Sequence, residues 1–250
     1  MKKSTVFLII IILFGTLLRF TNLNWDSYLA FHPDERNISW AVTRIHFFSQ
    51  MNPQFFAYGG LPIYLYRALG EIVVSITHDT NWIFDWGHIT VIGRYVSAIL
   101  SSFSIYLIFR VGKKYFSPAV GLLSAFFLAF SPWAIREAHF STTETMLVFF
   151  LLLLLLFSYC HCERSEAIPS RLPRPLRGLA MTIGSGIILG LAIAAKTTSV
   201  LFALIPLFAI LKPSIFMRSH SFAWSIKKFL LSFCLLGGMT IGIFFLFSPY

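Results

Sequence analysis

The apolar residues of this chain are gathered into long blocks separated by short basic segments. That blocking constrains the fold more than any single motif does. A membrane span needs about 20 predominantly apolar residues, and blocks near that size recur between residues 4 and 247. One of them runs through six consecutive leucines at 151–156. Charged residues make up 12% of the chain, against roughly a quarter in an ordinary soluble domain. A bilayer accounts for this composition and a soluble core does not. The net charge of +10 does not argue for a nucleic-acid partner. The basic residues lie between the apolar blocks, which is the positive-inside pattern.

The expected fold is an all-α polytopic membrane protein with about seven spans, in the cell inner (plasma) membrane. Residues 4–20 form the first span, behind Met1-Lys2-Lys3. No small-residue cleavage pattern follows, so the start reads as an uncleaved anchor with a cytoplasmic amino terminus. Residues 21–92 form a long extracytoplasmic loop on the membrane surface. It holds Asp26, Asp34, Glu35, Glu71, Asp79 and Asp85, and four of the six tryptophans, a residue that favours the interface. Residues 93–160 carry three spans, and Arg110, Lys113 and Lys114 mark the cytoplasmic end of the first of them. Residues 161–182 read as an inserted cytoplasmic loop with four arginines and three prolines, a foreign composition that carries no chemistry. Residues 183–247 carry about three spans. The stretch 183–211 is long for one span and short for two. The basic residues beyond it belong in the cytoplasm, so two short or tilted helices should meet near Lys196-Thr197-Thr198. No internal repeat is evident.

Cys160 and Cys162 flank His161. Two thiols and one imidazole do not complete a metal site without a fourth ligand, and no disulfide framework is visible. No metal site is expected. The cofactor stays unknown: the outer acids leave a divalent ion open, and no ligand spacing argues for one.

Four constellations could carry chemistry. The first is Phe31-His32-Pro33-Asp34-Glu35-Arg36. Behind it Ile38, Ala41, Val42, Ile45 and Phe48 recur at helical spacing, as for a helix lying on the bilayer. Pro33 suits the first helical position, and acids in the first turn oppose the helix dipole. Asp34 and Glu35 are therefore either a helix start or a catalytic pair. The second stretch is 52–66, where Tyr58 and Tyr64 suit either hydrogen bonding to a sugar or anchoring at the interface. Beyond it, Arg67 and Glu71 are spaced to pair on a helix. The third is Arg136, His139 and Glu144 at the outer end of the spans. The fourth is Lys196 in an apolar stretch. It is either a functional charge at membrane depth or a side chain that snorkels to the headgroups.

The order of these features resembles the GT-C glycosyltransferases, specifically family 39, which includes protein O-mannosyltransferases and the aminoarabinose transferase of lipid A. The resemblance rests on His32-Pro33-Asp34-Glu35, on Asn52-Pro53 through Leu61-Pro62-Ile63-Tyr64, on Gly93-Arg94-Tyr95-Val96-Ser97-Ala98, and on Gly190-Leu191-Ala192-Ile193-Ala194-Ala195-Lys196. It implies an inverting transfer from a polyprenyl-phosphate sugar donor to an extracytoplasmic acceptor. The family's acidic residue falls on Asp34, implied as general base, with Glu35 beside it. Arg136, His139 and Lys196 are implied candidates for stabilising the leaving phosphate. The family often has an aspartate where this chain has Glu144. His32, Tyr58 and Tyr64 complete the expected substrate contacts. Members of the family generally run longer, so this chain is expected to represent an amino-terminal part. The competing expectations are a transporter or lipid flippase, which would place polar residues near mid-membrane and often in repeated halves, and a non-catalytic fragment.

Overall fold

The structure is a computed structural model that describes residues 3–162, 174–216 and 222–250, with side chains omitted at 3, 159–178 and 211–228. Its regular elements among the described residues are all helical. Helix α1 spans Lys3–Phe20, and the segment 21–85 then folds into α2 (Pro33–Thr43), α3 (Gly60–Thr77) and the single turn α4 (Asn81–Phe84). Next come α5 (Trp86–Tyr115), α6 (Pro118–Phe130), the short α7 (Pro132–Ala138) and α8 (Glu144–Cys162). After 163–173, which lie outside the described residues, α9 covers Arg174–Ala195. A 3-10 turn, Thr197–Ala203, leads into α10 (Leu204–Phe216), and α11 (Phe222–Phe247) follows.

Among the described residues, two helices are long and apolar enough to cross a membrane, α5 and the 229–247 part of α11. A third span results if α6 and α7, bent by 59° at Ser131, count as one. The segments 4–20, 144–158, 179–195 and 197–210 are apolar helices of 10–17 residues. Length therefore establishes fewer spans than the seven expected. Local breaks shorten several of them. The expected break near Lys196 is present: Lys196 has an extended backbone (φ −157°, ψ 123°) between α9 and the 3-10 turn.

Two boundaries and one buried face differ from expectation. Helix α5 starts at Trp86, not at 93, because the Asp85 carboxylate accepts the His88 N–H at 3.0 Å and caps it. Helix α9 is already formed at Arg174, inside the segment read as a loop over 161–182. The face of α2 does not lie on the bilayer: Ile38, Ala41 and Val42, and Ile45 just past the helix end, are fully buried in the main core with residues of α3, α5, α8 and α9. Phe48 is not on that face. The helix ends at Thr43, and Phe48 sits in a left-handed turn (φ 68°), fully exposed. The Cys160-His161-Cys162 side chains lie outside the described residues.

Close helix contacts rest on small residues, as is usual where helices pack in membranes. A Cβ on Gly112 of α5 would stand 2.8 Å from the Cα of Gly121 in α6. Gly186 and Gly190 bring α9 equally close to Met239 and Ile243 of α11. Arg19 fixes the bend at the end of α6. Its buried guanidinium donates to the carbonyls of Leu128 (2.8 Å) and Ala129 (2.9 Å) in the last turn of α6. It also donates to Gly15 O (2.8 Å) and Ser101 Oγ (2.7 Å). Those α6 carbonyls have no partner within their helix, and a cation suits the negative end of the helix dipole. The bend sends α7 across the head of the bundle and so sets the 139–143 turn that leads into α8.

Candidate active site

Two clusters meet at the first turn of α2. The first is built on Arg94, just over two turns into α5. Its Nε and Nη2 donate to Glu35 Oε1 and Oε2 at 2.9 and 2.8 Å. Its Nη1 and Nη2 donate to Asp26 Oδ1 and Oδ2 at 2.9 and 2.7 Å, and Nη1 also reaches Leu23 O at 3.1 Å. Both carboxylates are thus gripped in the bidentate geometry that guanidinium favours. The Ser141 N–H adds a 2.6 Å bond to Glu35 Oε1. The Trp25 ring lies 4.6 Å from the guanidinium carbon. All three charged side chains are buried. Burial alone would raise the Asp26 carboxyl, but the hydrogen bonds and charge of Arg94 overcome it and hold that carboxyl below its usual range. Ser141 can come this close because position 93 is glycine; a Cβ there would overlap the Ser141 hydroxyl.

The second cluster brings four expected site residues together. Asp34, half-buried, projects from the first turn of α2. The Tyr58 phenol lies beside it and is pushed up to about 12, first by burial, then by hydrogen bonding to Asp34 and its charge, then by the charge of Glu144. At neutral pH that phenol keeps its proton and can donate it. Lys196 Nζ donates to Glu144 Oε1 at 2.9 Å and stands 5.8 Å over the Tyr58 ring. The backbone locks Tyr58 in place. Gly59 N–H donates to Ala195 O (3.1 Å), and Gly60 N–H donates to Ser248 Oγ (3.0 Å). A carboxylate, a phenol and an ammonium–carboxylate pair therefore converge from the heads of α2, α3 and α8 and from the end of α9.

The other expected residues lie elsewhere. Glu35 is entirely committed to Arg94 and Ser141, with no exposed surface. The His32 ring packs 4.6 Å from Phe140, with Nδ1 buried and unpartnered among the described residues. The Tyr64 hydroxyl donates to the Met51 carbonyl at 2.9 Å, so it ties the 44–59 loop to α3. Arg136 pairs with Glu137 (2.8 Å) and stacks on Trp133 (3.9 Å). The His139 ring nitrogens each lie 2.8 Å from a carbonyl, of Ile135 and of Thr21. With Thr21, Asn22, Trp25 and Phe140, these two residues line a separate open cavity of about 360 Å³. Arg67 and Glu71 pair at 2.8 Å as their spacing implies. Among the described residues, no group of three or more His, Cys, Asp or Glu could hold a metal ion. Asp26 and the role of Arg94 are not among the expected site residues. An arginine at the mouth of an apolar block, with no acid within a helical turn of it, was the available signal.

A helical bundle with the segment 21–85 folded over its head, and a polar cluster between the two, has the GT-C architecture of membrane glycosyltransferases. The profile described as "Dolichyl-phosphate-mannose-protein mannosyltransferase" matches residues 83–240, and the chain belongs to that family. The match includes Arg94, Glu144 and Lys196; Asp34 and Tyr58 lie before it. Solved structures share the fold. The Saccharomyces cerevisiae protein O-mannosyltransferase Pmt1-Pmt2 complex bound to the sugar donor aligns over 99% of this chain and 33% of its own, at 17% identity and TM-score 0.73. The Archaeoglobus fulgidus oligosaccharyltransferase in the apo form aligns over 97% and 29%, at 17% identity and TM-score 0.70. Its complex with an inhibitory peptide and a dolichol-phosphate gives 97% and 29%, 16% identity and the same TM-score. The chain thus spans about a third of these structures' length. No curated protein matches it.

Proposed function

We propose that this chain is the catalytic membrane module of a glycosyltransferase. It moves a sugar from a polyprenyl-phosphate donor to an extracytoplasmic acceptor with inversion. The convergence of Asp34, Tyr58, Glu144 and Lys196 carries this reading. A reaction on a lipid-linked sugar needs a carboxylate at the headgroup level, and it needs a cation where the phosphate leaves. The structures with this fold include one bound to a sugar donor and one in complex with a dolichol-phosphate, which supports a donor of this class.

In the proposed step, Asp34 takes the proton of the acceptor hydroxyl. The acceptor oxygen bonds to the anomeric carbon, and the bond from that carbon to the phosphate oxygen breaks. The phosphate departs on its prenyl tail with one more negative charge, which Lys196 stabilises. Glu35 contributes by position. Locked to Arg94 and Ser141, it fixes the first turn of α2 and hence the direction of Asp34. The topology that suits this chemistry has about seven crossings in the plasma membrane, with the amino terminus in the cytoplasm and Asp34 outside.

The test is a lipid-linked sugar transfer assay on membranes carrying the full-length protein. Asp34→Asn should abolish transfer while membrane insertion is retained. Wild-type transfer by that variant would remove Asp34 as base. Transport of a labelled substrate in liposomes without any transfer would favour a transporter instead.

A further inference from the structure

Two ion pairs in this molecule have opposite characters. Glu35–Arg94 is completely buried and saturated. Glu144–Lys196 is a single contact between half-open side chains, 43% and 29% exposed. A pair this accessible contributes little net stability and can exchange its members. The surroundings of Glu144 also offer more donors than its carboxylate uses. Glu144 is the first residue of α8, where backbone N–H groups lack partners within the helix. The Thr142 hydroxyl borders the Glu144 carboxylate. That hydroxyl is buried and is shared with no other group among the described residues. Lys196 Nζ faces the same place. A helix head, the Thr142 hydroxyl and the Lys196 ammonium suit an oxyanion with three or four oxygens better than a carboxylate with two.

We propose that Glu144 is a place-holding carboxylate on Lys196, which the phosphate of the lipid donor displaces. The inference rests on the reading of Lys196 as the residue that meets the donor phosphate. In the resting site Glu144 neutralises Lys196. When the donor enters, Lys196 Nζ exchanges the Glu144 oxygen for a phosphate oxygen, and the carboxylate swings toward water. The exchange favours the later stages of the reaction. The donor phosphodiester carries one negative charge and the departing monoester nearly two, so Lys196 holds the leaving group more strongly than the bound donor. That is stabilisation weighted to the transition state. Glu144 in turn competes with the product and helps to expel it.

The experiment measures binding of dolichyl phosphate, and of dolichol without phosphate, to the full-length protein in nanodiscs of zwitterionic lipid. Wild type is compared with Glu144→Gln, Glu144→Ala, Lys196→Gln and the double variant Glu144→Gln/Lys196→Gln. Removing the carboxylate should tighten dolichyl phosphate binding about two- to fivefold, the equivalent of one exposed ion pair. The gain should vanish in the Lys196→Gln background, and dolichol should bind all variants alike, which also reports an intact fold. If both Glu144 variants bind dolichyl phosphate no tighter than wild type while Lys196→Gln weakens it, the place-holding role is overturned and Lys196 keeps its phosphate. If Lys196→Gln leaves dolichyl phosphate binding unchanged, the phosphate reading of Lys196 itself fails, and this inference fails with it.

Discussion

Gly59 donates its backbone N–H to the carbonyl of Ala195 at 3.1 Å, and this bond ties the segment before α3 to the end of α9 beside Lys196. The approach is possible only without a side chain. A Cβ on Gly59 would overlap the Ala194 carbonyl, and one on Gly60 would overlap the Phe247 carbonyl. Gly59 has φ −72°, so space, and not backbone conformation, requires glycine here. Gly59→Ala must push the backbone off α9 and carry Tyr58 away from Lys196. Overpacking of this kind costs about 1–3 kcal/mol. The expected outcome is a folded protein whose transfer rate falls at least roughly tenfold, since a displacement near 1 Å can cost about a hundredfold. Assay of transfer beside thermal unfolding in detergent checks it.

The Asp26–Arg94–Glu35 network makes a prediction about stability. Arg94→Met leaves two carboxylates buried without a cation, a change that typically costs about 3–5 kcal/mol. It should yield little folded protein. Glu35→Gln leaves Arg94 matched one to one with Asp26 and should be milder, about 1–3 kcal/mol. Size-exclusion profiles and melting temperatures separate the two, and equal melting of both variants would contradict the network.

The same network fixes the sign of one pH effect. Asp26 has its folded value below its unfolded one. Its contribution is therefore present above the ordinary aspartate range, near pH 4, and is lost as the pH falls through the depressed folded value. Wild type should lose melting temperature in that acid window. Asp26→Asn should start lower at neutral pH and lack this part of the acid loss.

Much of the scaffold was legible because a bilayer imposes it. The apolar blocks marked the helices. The need to keep basic segments on one side of a bilayer calls for a break near Lys196, and the backbone is extended there. Asp34, Tyr58, Glu144 and Lys196 were each legible as polar groups at the edges of apolar blocks. Their convergence was not, because pairs such as Lys196–Glu144 are 52 residues apart and leave no local periodicity. For the same reason Arg94 gave no sign of its partners, 59 and 68 residues away. Tyr64 and His139 looked equivalent to Tyr58 in sequence. What a hydroxyl or an imidazole faces depends on packing, and here both face backbone carbonyls. The face of α2 was correctly periodic and wrongly partnered, since periodicity says that a face is covered and not by what.

Arg19 is a buried cation with four described bonds, all to uncharged groups. Arg19→Leu would leave three carbonyls and a serine hydroxyl without that donor. Unsatisfied buried groups cost about 1–3 kcal/mol each, so a loss of several kcal/mol is expected. Arg19→Lys keeps the charge but cannot reach all four acceptors from a single ammonium and should recover only part of the loss. Thermal unfolding in detergent ranks the three proteins. If Arg19→Leu melts with wild type, the guanidinium does not hold the α6–α7 bend.

The hydroxyl of Tyr58 gives the sharpest separation of chemistry from folding. Tyr58→Phe keeps the ring under Lys196, 5.8 Å from the ammonium, and keeps the backbone bonds at Gly59 and Gly60. It removes only the phenol that borders Asp34 and that burial and the Asp34 carboxylate hold up at about 12. A hydrogen bond to a charged group is worth about 1.5–3 kcal/mol, or roughly ten- to a hundredfold in rate if it is used in the transition state. With Asp34 as base, that bond orients the carboxylate toward the acceptor. Tyr58→Phe should then lower kcat by about that factor, with KM for the lipid donor and the melting temperature close to wild type. A rise in donor KM at unchanged kcat would instead assign the phenol to the sugar and leave Asp34 oriented by α2 alone.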